Sequence, residues 1–170
     1  MSEAAVAAGN NAFWQFSLRL YSSSAVQEAC LALQDGSGVD VNVMLFALYM
    51  ASQGKRLSEA EIRQIADSVE SWRTDVVVPL RSARRALKSP AAAIDPAGAE
   101  SLRSIVKKAE LEAERLQQVA LFARSGALGT PSAPGITAAL NLQAYAAALG
   151  RQLAAAPVGV MLSAYEARLA

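Results

Sequence analysis

The sequence predicts an all-α protein: a compact helical bundle with a central apolar helix and a long antiparallel helical hairpin. Three observations predict it. From Val41 to Met50 the only polar side chains are Asn42 and the Tyr49 hydroxyl. A helix with no solvent face must be enclosed by other helices or by lipid, and this run is far short of the roughly 20 residues that cross a bilayer. Next, Ile62, Ile65, Val69, Trp72, Val76, Leu80, Ala83 and Leu87 recur every three or four residues, the period of one helix face. Finally, Leu102, Val106, Ala109, Ala113, Leu116, Ala120 and Ala123 alternate by four and three, widened by Ile105 and Val119 into a second seam.

Taken in order, residues 1–9 are small and polar and are expected to be disordered. Asn10 or Asn11 caps a first helix, with Phe13, Phe16 and Leu20 on one face and Trp14, Leu18 and Tyr21 on the next. Ser22-Ser23-Ser24 breaks it and caps a second, whose apolar positions are Val26, Ala29, Cys30 and Leu33. Gly36 or Gly38 ends that helix with a positive φ. Asp40 is the natural N-cap of the central helix, Val39 a hydrophobic staple to Met44, and Gly54 its end. Ser58 with Glu61 forms a capping box inside a Leu57–Ile62 staple, the clearest helix start in the chain. Pro79 falls inside the next stripe, where proline costs about 3 kcal/mol. Because the stripe keeps its phase, one helix kinked near Pro79 is expected. Residues 89–94 connect, and Asp95-Pro96 caps the second arm. Each arm reaches on the order of 40 Å at about 1.5 Å per residue. The expected organisation is a helical core domain over 10–125, a Gly/Pro linker over 126–136, and alanine-rich helices over 137–170. Those helices pack either on the core or on another subunit.

Composition excludes more than it assigns. The 170 residues are 53% hydrophobic, enough for a real core, and carry a net charge of +1, which argues against nucleic acid or an anionic membrane as partner. There is no histidine and one cysteine, Cys30. That removes Ser/His/Asp and Cys/His nucleophilic pairs, the imidazole base and ordinary zinc sites. A single cysteine also removes an intrachain disulfide. No secretory signal or transmembrane run is present, so a cytoplasmic location is expected.

Two constellations stand out. Asp35, Asp40 and Asn42 surround the Gly36-Ser37-Gly38 turn and offer oxygen ligands, but at no recognised metal-loop spacing. The preferred reading has Asp40 as the cap, Asp35 tying down the turn and Asn42 bonding backbone in the first helical turn. Arg81, Arg84, Arg85 and Lys88 share one helix face, with Arg73 preceding them. Residues 73–108 hold eight basic and three acidic residues. Guanidinium groups in such a cluster suit carboxylate or phosphate, although a solvated face, or internal partners in Asp35, Asp40, Glu110 and Glu114, is the plainer reading. Aromatic neighbours for base stacking are missing. The sequence implies no cofactor, metal site or catalytic residue.

The order Phe13-Trp14-x-Phe16-Ser17-Leu18-x-Leu20-Tyr21, followed by Ala29-Cys30-Leu31-x-Leu33-Gln34-Asp35-x-x-Gly38-x-Asp40-Val41-Asn42-x-x-Leu45-Phe46, resembles a bacterial family described as domain of unknown function 2390. Trp72-Arg73, Pro79-Leu80-Arg81-x-x-Arg84-Arg85-x-Leu87-Lys88 and Glu110-Leu111-x-Ala113-Glu114 continue the likeness, which covers Phe13 to Leu121. Departures fall at Ser24-Ala25 and Tyr49, where Pro-Gly and Trp are expected. The resemblance implies a small helical protein and supplies no activity. The leading expectation is therefore a noncatalytic helical interaction protein that self-associates, as a homodimer for example, through the hairpin or the alanine-rich tail. The alternative is a binder of, or enzyme acting on, a small anionic or amphiphilic metabolite held by the arginine-rich face.

Overall fold

A computed structural model describes residues 11–133 and 135–167; the expectation for residues 1–9 lies outside them. Among the described residues the regular structure is helical apart from one two-residue strand pair. Helix α1 is Ala12–Tyr21, α2 Ser24–Ser37, α3 Val41–Ser52 and α4 Glu59–Trp72. A π-helical segment, Arg73–Val77, joins α4 to α5, Val78–Ala86. Helix α6 is Pro96–Phe122, α7 Thr137–Ala148 and α8 Ala155–Glu166. No helix among the described residues is long and apolar enough to cross a membrane.

Helix α3 is the centre. Every residue from Asn42 to Ala51 is buried, and α1, α2, α4, α6 and α7 all pack on it. Phe13 and Phe46 meet edge to face at 5.4 Å between centroids, and Tyr49 lies against Phe13, Phe16 and Phe122. The Asp40 cap forms as its residue type dictates: Oδ1 accepts from the N–H groups of Asn42 at 2.9 Å and Val43 at 3.4 Å. Gly38 closes α2 at φ 62°, a left-handed conformation that glycine adopts without strain. At α4 the Ser58–Glu61 capping box is complete, and the other Glu61 oxygen accepts from the Gly129 N–H at 2.8 Å.

The path from Glu59 to Ala86 is one continuous helical run, as the unbroken stripe predicts, and the accommodation lies just ahead of Pro79. Over Arg73–Val77 the helix widens, and the Val78 N–H bonds the Arg73 carbonyl, five residues back. Such single-turn π-bulges relieve local conflicts within α-helices; here the widened turn immediately precedes the residue with no N–H to give.

Helix α6 differs from expectation. The residues it buries are Ala99, Glu110, Ala113, Gln117, Gln118 and Leu121, whereas Leu102, Ile105 and Leu116 of the expected seam are exposed. An apolar repeat cannot locate this inner face, because half of what it buries is polar.

The alanine-rich tail folds back on its own chain. Helix α7 lies against α3 and α4, and α8 against α2. The Tyr145 hydroxyl donates to the Asp40 carbonyl at 3.1 Å and accepts from the Asp40 N–H at 2.9 Å. Fully buried Asn141 accepts from the Leu57 N–H at 2.8 Å and donates to the carbonyls of Ala47 and Lys55. Within 126–136, Thr130–Pro131 forms β2 and pairs antiparallel with β1, Lys55–Arg56. Gly129 precedes it at φ 79°, and a Cβ there would meet Lys55 Cβ at 3.0 Å.

Candidate functional site

Helices α1, α5 and α6, the α2–α3 turn and the π segment enclose a cleft of about 140 Å³. That is room for about five waters, or for one benzene-sized group. Its apolar lining is Trp14 and Leu18 from α1, Val39, Val41 and Leu45 around the start of α3, Val77, and Leu111. Leu18 and Leu111, 45% and 52% exposed, form the rim. The polar lining includes Ser17, Tyr21, Asp40, Asn42, Arg73, Arg81, Glu114, Gln117 and Gln118.

Five of these side chains form a directional relay. Ser17 Oγ donates to Gln118 Oε1 at 3.0 Å, and Gln118 Nε2 to Asn42 Oδ1 at 2.8 Å. Asn42 Nδ2 then donates to Gln117 Oε1 at 2.9 Å, and Gln117 Nε2 to Asp40 Oδ2 at 2.6 Å. Each amide accepts on one side and donates on the other, so the chain is polarised toward the Asp40 carboxylate. Asn42 thus bonds across to α6, not to backbone in its own first turn as its sequence position suggested. The arrangement leaves no buried side-chain nitrogen or oxygen without a partner among the described residues.

The arginines do not share one fate. Arg73 Nε stands 3.8 Å from Asp40 Oδ2 and its Nη1 3.1 Å from Glu70 Oε1. Arg81 donates from Nε to Glu110 Oε1 at 3.0 Å and from Nη2 to Glu114 Oε1 at 2.6 Å. Arg84 bonds the same Glu110 through Nε and Nη2. Arg85 pairs with Asp35 at 3.0 Å on the surface, where such a pair contributes little, and Lys88 is exposed. Of the five basic residues, the cleft receives Arg73 and Arg81; of the turn residues, it receives Asp40 and Asn42. Asp35 stays outside. No cluster of Cys, Asp and Glu among the described residues is grouped to hold a metal.

Burial sorts the carboxylates. Desolvation pushes Asp40 above the usual carboxylate range, against the opposing hydrogen bond from Gln117 and the Arg73 charge. Glu114 is raised by desolvation and also by the charges of Glu110 and Asp40, with Arg81 opposing. Desolvation acts upward on Glu110 too, but the hydrogen bonds from Arg84 and Arg81 prevail and hold it low. The Tyr21 hydroxyl is pushed up by burial and by Cys30 and Glu114. Cys30 itself, donating to Met161 Sδ at 3.7 Å, is raised by burial to about 11, which makes it an unreactive thiol.

Sequence reasoning missed Gln117 and Gln118. The signal was there: adjacent amides in phase with Ala113, Glu110 and Leu121, opposite a lone Asn42 in an apolar helix. Comparisons with curated proteins and with solved structures give no match. The family described as "Protein of unknown function (DUF2390)" matches residues 12–121, which include every element lining the cleft and exclude α7 and α8. With well over half its length matched in this way, the chain belongs to the DUF2390 family.

Proposed function

We propose that the protein binds a small amphiphilic molecule in this cleft. The apolar part of the ligand lies against Trp14, Leu18 and Leu111, and its polar head reaches Arg73, Arg81 and the amides of Gln117 and Gln118. The observation that supports this reading best is the combination of an apolar rim with a fully hydrogen-bonded polar floor. Ligand sites commonly have that composition, with mostly apolar walls and a few convergent polar groups.

A thermal-shift titration with octanoate, octyl phosphate and octanol tests it. At 100 times its Kd a ligand stabilises by about 2.7 kcal/mol. Leu18→Asp with Leu111→Asp is expected to abolish the shift while leaving the unliganded Tm near wild type, because both positions are exposed. If none of the three probes raises Tm, or if the shift survives the rim substitutions, the reading fails.

A second reading, self-association, is favoured by a separate observation. Leu102, Ile105 and Leu116 are 49%, 62% and 42% exposed, and with exposed Ala109 and Ala120 they share one face of α6 at helical spacing. Light scattering behind size exclusion is expected to show a dimer that Leu102→Glu with Ile105→Glu converts to monomer. A wild-type monomer at high concentration would contradict it.

A further inference from the structure

Arg81 divides its guanidinium between two carboxylates of unequal standing. Glu110 is buried and also held by Arg84, so it has two cationic partners. Among the described residues Glu114 has Arg81 alone as an ion-pair partner, and it lines the cleft, its side chain 27% exposed. Arg73 lines the same cleft from the π segment, so two cations line it, and of the two carboxylates that Arg81 holds, Glu114 and not Glu110 lines the cleft.

We propose that Glu114 is an internal placeholder for an anionic ligand head: an incoming carboxylate or phosphate takes its place on Arg81, flanked by Arg73. Guanidinium binds either oxyanion in bidentate fashion. Glu110 cannot fill the placeholder role, because Arg84 retains it when Arg81 turns to a ligand.

Displacement strips Glu114 of its compensating charge. The groups around it are Tyr21 from α1, Asp40 at the start of α3, Arg73 from the π segment, Arg81 and Arg84 from α5, and Glu110 from its own helix. Once Arg81 is occupied by an anion, Glu114 faces Glu110, Asp40 and the ligand's own charge, and it takes up a proton from solvent. Burial already disposes it that way. Anion binding should then weaken as pH rises, because each association above the Glu114 pKa must draw in a proton.

This inference rests on the cleft being a ligand site, and calorimetry on the full chain separates the two. Octanoate, octyl phosphate and octanol are titrated in buffers of differing ionisation enthalpy, into wild type and Glu114→Gln. The expected result is uptake approaching about one proton per octanoate or octyl phosphate bound and none for octanol. Glu114→Gln should bind both anions about tenfold more tightly at neutral pH, without proton uptake and with octanol unchanged. Anion binding without proton uptake in the wild type, or weaker anion binding by Glu114→Gln, overturns the placeholder role, and the first readout needs no variant. If octanol binds and neither anion does, the placeholder fails while the cleft stands; if no probe binds, both fail.

Discussion

Replacing Asn42 by alanine is expected to cost about 2–5 kcal/mol of folding stability. The substitution strands Gln117 Oε1 and Gln118 Nε2 together, both from residues under 4% exposed, and each buried polar group left unpaired costs about 1–3 kcal/mol. For a chain of this length the Tm should fall by the order of 10 °C. The double variant Asn42→Ala with Gln118→Ala should cost less than the sum of its singles, because the second substitution removes a group the first has orphaned. Additive losses in chemical denaturation would mean that the relay is not a unit.

The second large effect lies at Glu110. Its carboxylate is the one held by both Arg81 and Arg84 and is 5% exposed. Glu110→Ala should cost about 3–5 kcal/mol at neutral pH, since removing one partner of a buried pair leaves the other without compensation. Acid has two opposed effects. Glu110 titrates below its unfolded value, so its contribution is present above the unfolded carboxylate pKa of about 4.3 and is lost as pH falls through the folded value. Asp40 and Glu114 titrate above theirs, so the folded state binds their protons first, and stability rises as pH falls through that window. Wild type should gain stability as pH falls through the raised values of Asp40 and Glu114 and then unfold steeply below the unfolded carboxylate range. Glu110→Ala should lose much of that steep limb and keep the rise. Urea midpoints across pH measure both.

The parts of the fold legible in the sequence were those governed by local chemistry. Asp40, Ser58 with Glu61, and Asp95 each cap the helix their side chain favours, and the all-apolar run became the buried central helix. Helical continuity through Pro79 also held, but the phase of the stripe did not: the π turn rotates the inner face, so that Val77 is buried while Trp72 and Ala83 of the expected stripe are exposed. Helix α6 was misread for a physical reason. Its inner face is polar where it meets Asn42, Arg81 and Arg84, so the most regular apolar repeat points elsewhere. Half of the cleft was visible in advance through Asp40, Asn42, Arg73 and Arg81. Glu114 was named in advance as an internal partner for the arginines; Gln117 and Gln118 were not, because their roles depend on contacts spanning between 75 and 101 residues of chain.

The cleft as a ligand site is tested most directly by the side-chain amide resonances of the relay. In a heteronuclear NMR titration with octanoate, the amide signals of Asn42, Gln117 and Gln118 are expected to shift together and saturably. The signal of Asn141, which bonds Ala47 and Lys55 on the α7 side of α3, should stay in place. Relay signals that do not move with octanoate in excess, or shifts confined to residues outside the cleft, would contradict the account.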